Sequence, residues 1–235
     1  MDIQTRIDAL NWDKAAVDID TLGYAILPGV VTIEECDKIA LQYTDDALYR
    51  KTVVMERHQY GKGEYKYFKY PLPLIIEQLR QGVYPMLAPV MNGWMEKLNI
   101  ANRFPATLNG QLELCHANGQ HKPTALILKY DKGGFNALHQ DLYGELFFPV
   151  QMVIFLDGPG TDYEGGEFVL IEQRPRAQSK AIVLKPRKGD ILVFTTNFRP
   201  VKGIRGYHRV NMRHGVGEVT KGKRHTLGII FHDAK

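Results

Sequence analysis

His139 and Asp141 stand two positions apart and offer an imidazole and a carboxylate. On an extended strand, side chains two apart leave the same face. Such a pair supplies two of the three ligands in the 2-His-1-carboxylate arrangement, which holds Fe(II) and leaves coordination positions open. A lone His-x-Asp arises often by chance. Here it sits in an ordered series along the chain: Tyr130, His139, Asp141, His214 and Arg224. His214 is the expected third metal ligand. His208 competes with it, but the residue ten positions beyond His208 is Glu218. Ten beyond His214 stands Arg224, at the head of the apolar run Arg-His-Thr-Leu-Gly-Ile-Ile-Phe.

Fe(II) on three facial ligands keeps three positions open. A 2-oxo acid can fill two of them through its carboxylate and keto oxygen, and dioxygen the third. The far carboxylate of 2-oxoglutarate then needs a fixed cation, and a guanidinium meets a carboxylate through two parallel hydrogen bonds. Arg224 suits that role. Thr226 alternates onto the same strand face and adds a hydroxyl, and the Tyr130 phenol is a further donor from what should be a neighbouring strand. The expected site is therefore His139, Asp141 and His214 for the metal, with Arg224, Tyr130 and Thr226 for the cosubstrate.

The scaffold must bring distant strands side by side. From residue 123 onward, segments 124–130, 149–157, 167–171, 180–184, 190–195 and 224–231 read as strands of buried-sheet length. Gly133-Gly134, Gly158-Pro-Gly160, Gly165-Gly166 and Lys188-Gly-Asp190 separate them as turns. Upstream, residues 22–28 read as a short strand, and Thr32 with Glu35 has capping-box spacing for a helix running towards Tyr43. Residues 73–99 carry apolar side chains at helical spacing, with Pro85 and Pro89 predicting a break or kink. One more short helix is expected within 103–120. Helices followed by many short strands predict an all-β core with α-helices, an α+β jelly roll braced by N-terminal helices. We expect one domain over 1–235, with 1–120 as mainly helical support and substrate lid and 121–235 as the catalytic β-roll.

The 235 residues include two isolated cysteines, Cys36 and Cys115, which argue against a disulfide framework and a zinc-thiolate site. The charged N-terminus lacks the apolar run of a signal peptide, and no segment approaches a membrane span in length. A cytoplasmic protein without membrane contact or an obligate protein partner is the expectation. Net charge is only +4, yet residues 174–209 hold ten Lys and Arg against one acid, Asp190. That surplus can attract a polyanion, and it can equally be a solvated face. Residues 57–70 interleave tyrosines with cations. Tyr65 and Tyr67 would share a strand face, and with Lys66 they form a candidate substrate site of stacking rings beside a phosphate-seeking ammonium. The alternative is a strand with tyrosines on the core and lysines in water.

The stretch Tyr-x-x-Gly-x-x-x-x-x-His-Gln-Asp, Tyr130 through Asp141, resembles AlkB-type nucleic-acid demethylases. Glu164-Gly-Gly-Glu167, the run Leu184-Lys-Pro-Arg-Lys-Gly-Asp190-Ile-Leu-Val-Phe194 and the His214-to-Arg224 step resemble the prolyl 4-hydroxylase group. Both belong to the Fe(II)/2-oxoglutarate-dependent dioxygenases, which roughly the second half of the chain resembles. The whole chain, with Gly63-Glu-Tyr-Lys-Tyr-Phe68 and the Phe231-His-Asp-Ala ending, is similar to a small bacterial oxygenase family labelled as oxidatively demethylating damaged DNA. Leu128 stands where AlkB-type enzymes have Asn, and the second Arg of their motif after Arg224 is absent.

The resemblance implies a double-stranded β-helix, Fe(II) as cofactor, 2-oxoglutarate as cosubstrate and dioxygen as oxidant. It implies hydroxylation or oxidative demethylation of a prime substrate, with alkylated nucleic acid, a prolyl or other peptide residue and a small metabolite all open. A cupin-type metal barrel without oxygenase activity shares the architecture, but has no need of a cation ten residues past its last ligand.

Overall fold

The structure, a computed structural model, describes residues 1–141, 144–174 and 176–235. The chain opens with α1 (Ile3–Asp8), α2 (Trp12–Leu22), β1 (Tyr24–Leu27) and α3 (Ile33–Leu41). Thr32 caps α3 in the expected capping box: its side chain accepts from Glu35 N–H, while the Glu35 carboxylate accepts from Thr32 N–H. Strands β2 (Tyr49–Val54), β3 (Gly61–Lys62) and β4 (Glu64–Phe68) follow, then α4 (Leu74–Lys97) and α5 (Leu108–Ala117).

Helix α4 runs unbroken through Pro85 and Pro89, so of the break or kink expected there the break does not occur. Each proline costs a helical N–H bond, but ten buried side chains from Ile76 to Met95 hold the helix by packing.

The rest is β: β5 (Leu126–Asp131), β6 (Phe135–His139), β7 (Val150–Phe155), β8 (Tyr163–Gly165), β9 (Phe168–Gln173), β10 (Lys180–Leu184), β11 (Ile191–Thr195), β12 (Phe198–Gly203), β13 (Gly206–Val216) and β14 (Val219–Ile230). All six predicted strand segments are present. The sequence reading missed β2, β3, β8 and the β12–β13 hairpin, and the strand expected to carry both His139 and Asp141 ends at His139. In β13 the cause is plain: its first four residues are exposed and polar or glycine, so no apolar period announces it.

Two antiparallel sheets result. The larger runs β1-β11-β7-β14-β5-β4-β2 with β8 on β14, and the smaller runs β10-β9-β13-β6-β3 with β12 on β13. This is the jelly roll expected. Residues 1–120 contribute more than helices, because β1, β2 and β4 extend the larger sheet and β3 edges the smaller one.

Two clusters show how the larger sheet is buried on both faces. Met152 and Ile154 of β7 and Leu227 and Ile229 of β14 pack with the helices, where Trp94, Tyr84 and Leu79 lie. Val153 and Phe155 turn the other way and meet Phe168, Leu170 and Met212 from the smaller sheet. Strands covered on both sides read as unbroken apolar runs, and a polar side chain in one of them demands a reason. Gln151 and Arg224 are such side chains, and both face the space between the sheets.

Candidate active site

Antiparallel pairing of β13 with β6 sets His214 directly opposite His139. Their ring centroids are 4.2 Å apart. Asp141 lies just past the end of β6, and its two oxygens divide between the rings: Oδ1 is 3.5 Å from His139 Nε2, and Oδ2 is 3.3 Å from His214 Nε2. One ligand atom from each residue falls within 4.8 Å of the others. His139 Nδ1 donates to the Ala137 carbonyl at 2.7 Å, which leaves Nε2 with its lone pair turned towards Asp141. His208, by contrast, pairs with Val201 in the β12–β13 hairpin and is exposed, well away from the pair.

Electrostatics tie the three together. Burial raises the cost of a charged Asp141, but the two imidazoles outweigh it and hold the carboxyl well below its usual range. His214 is buried, and burial with the neighbouring His139 pushes its pKa down, keeping it neutral and able to ligate. Burial opposes a charged His139, yet Asp141 overrides it and the pKa rises. Two nitrogens and one carboxylate oxygen on one side of a cleft are the donor set that non-haem Fe(II) takes. The residues fit the metal.

The cleft between the sheets encloses about 480 Å³ and is lined by all three of these residues together with Arg224, Tyr130 and Thr226. Arg224 pairs with Tyr130 across β14 and β5, and Thr226 sits two residues on along the same face. The Arg224 guanidinium is 1% exposed. Its carbon lies 5.5 Å from the Tyr130 ring centre, 5.3 Å from Phe155 and 5.8 Å from Tyr163. None of its three nitrogens meets a carboxylate or completes a hydrogen bond of good geometry among the described residues, although the Tyr163 phenol lies near enough to interact weakly. A buried cation without an acceptor costs several kcal/mol, so the pocket is built to receive an anion. Gly166 makes room for the arginine: a Cβ there would stand 2.9 Å from Arg224 Cδ, and its φ of +62° is one glycine tolerates. Burial pushes the Tyr130 phenol up to about 12 against the pull of Arg224, so it stays protonated and able to donate.

Tyr65 and Tyr67 also line the cleft, their rings edge to face at 5.4 Å. Lys66 does not join them. Alternation along β4 turns it to the opposite face, where its ammonium donates to the Tyr43 carbonyl and to Asp46 at 3.0 and 2.7 Å. Its expected contact with substrate phosphate is therefore corrected. The basic run 174–209 does not reach the cleft either. None of its ten cations lines it, and Arg199 is buried on Glu172 while Lys185 and Lys188 pair with Glu167 and Asp37.

Two glutamines went unnoticed in the sequence. Gln140, between His139 and Asp141, donates to the Asn197 carbonyl and side chain and to the Met212 carbonyl at 2.9, 3.0 and 2.9 Å, tying the ligand segment to β13. Gln151 donates to Asp141 Oδ2 at 2.8 Å. Its signal was available, as the one polar residue in Val-Gln-Met-Val-Ile-Phe.

Comparison with known proteins follows the same lines. Residues 63–234 match the model of a family described as oxygenases catalysing oxidative methylation of damaged DNA. An uncharacterised protein of Mycobacterium tuberculosis (strain CDC 1551 / Oshkosh) is 50% identical over 167 residues, covering 71% of this chain and 72% of the relative. Among solved structures, a Pseudomonas putida prolyl-4-hydroxylase superposes with a TM-score of 0.59 at 14% identity, over 95% of this chain and 99% of that one. A Burkholderia pseudomallei oxidoreductase of the 2OG-Fe(II) oxygenase family gives 0.57 at 17% identity, over 95% and 93%. At these identities the likeness is one of fold. Among the described residues, no helix is long and apolar enough to cross a membrane.

Proposed function

This chain belongs to the oxygenase family described as catalysing oxidative methylation of damaged DNA, and from that premise we propose that it oxidises an N-alkylated base in nucleic acid. It is an oxidoreductase with Fe(II) as its metal and 2-oxoglutarate as its cosubstrate. We assign the metal to His139, Asp141 and His214, and the far carboxylate of 2-oxoglutarate to Arg224 with Tyr130 and Thr226.

The observation that carries the assignment is Arg224, a buried guanidinium without a carboxylate partner among the described residues, lining the same cleft as the triad. When bound, iron and 2-oxoglutarate supply the oxidising chemistry: dioxygen is consumed, the oxo acid leaves as succinate and carbon dioxide, and one oxygen atom enters the prime substrate as a hydroxyl. On an N-methyl group that product sheds formaldehyde. The protein's own part is to bind, orient and exclude water. Arg224 and Tyr130 fix the cosubstrate's far end, while Leu126, Leu128 and Phe194 keep the cleft wall apolar.

Tyr65 supports a base as the substrate, since an aromatic ring on the wall of the metal cleft receives a flat ring by stacking. Tyr67 is buried, with Arg50 4.5 Å from its ring centre, and backs Tyr65 edge-on. Because residues 1–120 contribute strands to both sheets, we treat 1–235 as one oxygenase domain.

The test is spectroscopic. Under anaerobic conditions Fe(II) plus 2-oxoglutarate should give a visible charge-transfer band, lost in His139→Ala. No band from the intact protein would leave the cupin-type metal barrel as the reading.

A further inference from the structure

Gln151 sits on β7, in the middle of the larger sheet, opposite Phe194 of β11 and Ile230 of β14. It is buried, and every residue of β7 around it is buried too. Its amide nitrogen is 2.8 Å from Asp141 Oδ2 and 3.5 Å from His214 Nε2. Its amide oxygen is buried without a hydrogen-bond partner among the described residues. An amide in a fully apolar strand, with one end on a metal-ligand carboxylate and the other unmatched, is not there for packing. An apolar residue of the same size would fill the space without leaving a buried acceptor unsatisfied.

We infer that Gln151 is a positioning residue for the metal centre, holding Asp141 Oδ2 so that the carboxylate presents Oδ1 in one orientation between the two imidazoles. This rests on the assignment of His139, Asp141 and His214 to the metal. A neutral donor suits the task. It fixes the carboxylate's rotation without bringing a charge that would compete for the metal, whereas a lysine or arginine there would neutralise the ligand itself. Partners that hold a ligand from outside the coordination sphere commonly set metal affinity by roughly 10–100-fold.

The experiment uses the full chain with Co(II) as an oxygen-stable probe. Wild type, Gln151→Leu and Gln151→Asn are titrated with Co(II), recording affinity and the visible d–d spectrum, alongside thermal melting without metal. We expect both variants to melt near the wild type or above it, to bind Co(II) roughly tenfold or more weakly, and to show a shifted or broadened d–d band. Asn retains the amide but is one methylene too short to reach Asp141, so it should fail with Leu; an Asn variant that behaves as wild type would overturn a role that depends on reach. Unchanged affinity and spectrum in both variants would overturn the inference while leaving the metal assignment intact. Absence of Co(II) binding by the wild type would overturn both.

Discussion

Arg224 and Tyr130 lie side by side on one face of neighbouring antiparallel strands, and neither the guanidinium nor the phenol completes a hydrogen bond of good geometry among the described residues. Two buried donors lining one cleft, with aromatic rings around the guanidinium, define an anion pocket before any anion is bound.

Replacing Arg224 should separate cosubstrate from metal. Losing a charged partner from a largely dry site costs on the order of 3 kcal/mol, roughly a hundredfold in binding. Arg224→Ala should raise the concentration of 2-oxoglutarate required about that much, with Fe(II) or Co(II) affinity nearly unchanged. Equilibrium dialysis of each ligand checks it; loss of metal with cofactor affinity spared would mean Arg224 has been placed wrongly.

The same arginine makes an opposite prediction for stability. A buried charge without a partner opposes folding, so Arg224→Met should melt at or above the wild-type temperature when both lack ligand. Adding 2-oxoglutarate should then raise the wild-type melting temperature and leave Arg224→Met where it was. Differential scanning fluorimetry reads both effects.

Asp233 anchors the chain's last residues. Its carboxylate meets Arg80 at 2.9 Å with both side chains fully buried, and it also accepts from Tyr70 and lies 3.0 Å from His116. Removing one member of such a pair strands the other charge, at a cost of about 3–5 kcal/mol. Asp233→Ala should lower the urea midpoint accordingly, while the double change Arg80→Met with Asp233→Leu recovers much of the loss.

His232 should make the protein acid-sensitive before its carboxylates do. Burial, helped by Arg80, lowers its pKa from 6.5 to about 4, and its Nδ1 accepts from Phe148 N–H. The folded state keeps the ring neutral, and the unfolded chain takes up a proton below pH 6.5. Its contribution to stability is therefore complete above 6.5 and is lost as pH falls towards about 4, up to about 3 kcal/mol in all. His232→Asn retains an acceptor at the same place and does not titrate. Chemical denaturation from pH 7 to pH 4 should show a shallower decline in that variant, and parallel curves would refute the assignment.

If the substrate is nucleic acid, oligonucleotide binding should weaken steeply with salt as phosphate contacts are lost. Tyr65→Ala should cost roughly 1–3 kcal/mol of binding through lost stacking, and Tyr67→Ala should weaken binding through the loss of the ring that packs edge-on against Tyr65. Fluorescence anisotropy with single-stranded and duplex oligonucleotides over a salt series reads both. Binding that ignores salt and both tyrosines would move the reading to hydroxylation of a peptide or small molecule.

Much of this was legible in the sequence because it rests on local rules. The capping box at Thr32, the buried-strand runs and the turn glycines follow from near-neighbour chemistry. The order Tyr130, His139, Asp141, His214, Arg224 pointed to the ligand set because strand alternation and spacing limit what can share a face. What lay beyond the sequence is what depends on which strand lies opposite which. Only the β6–β13 register sets His214 against His139, and only the switch from smaller to larger sheet between β13 and β14 turns Arg224 back into the same cleft. Lys66 looked like part of a tyrosine-lysine site, yet the fold spends it on Tyr43 and Asp46, because one residue of strand separates two opposite faces. Gln151 read as one polar letter in an apolar run. Its meaning appeared when the second sheet brought Asp141 within 2.8 Å of it, across ten residues that no local rule folds.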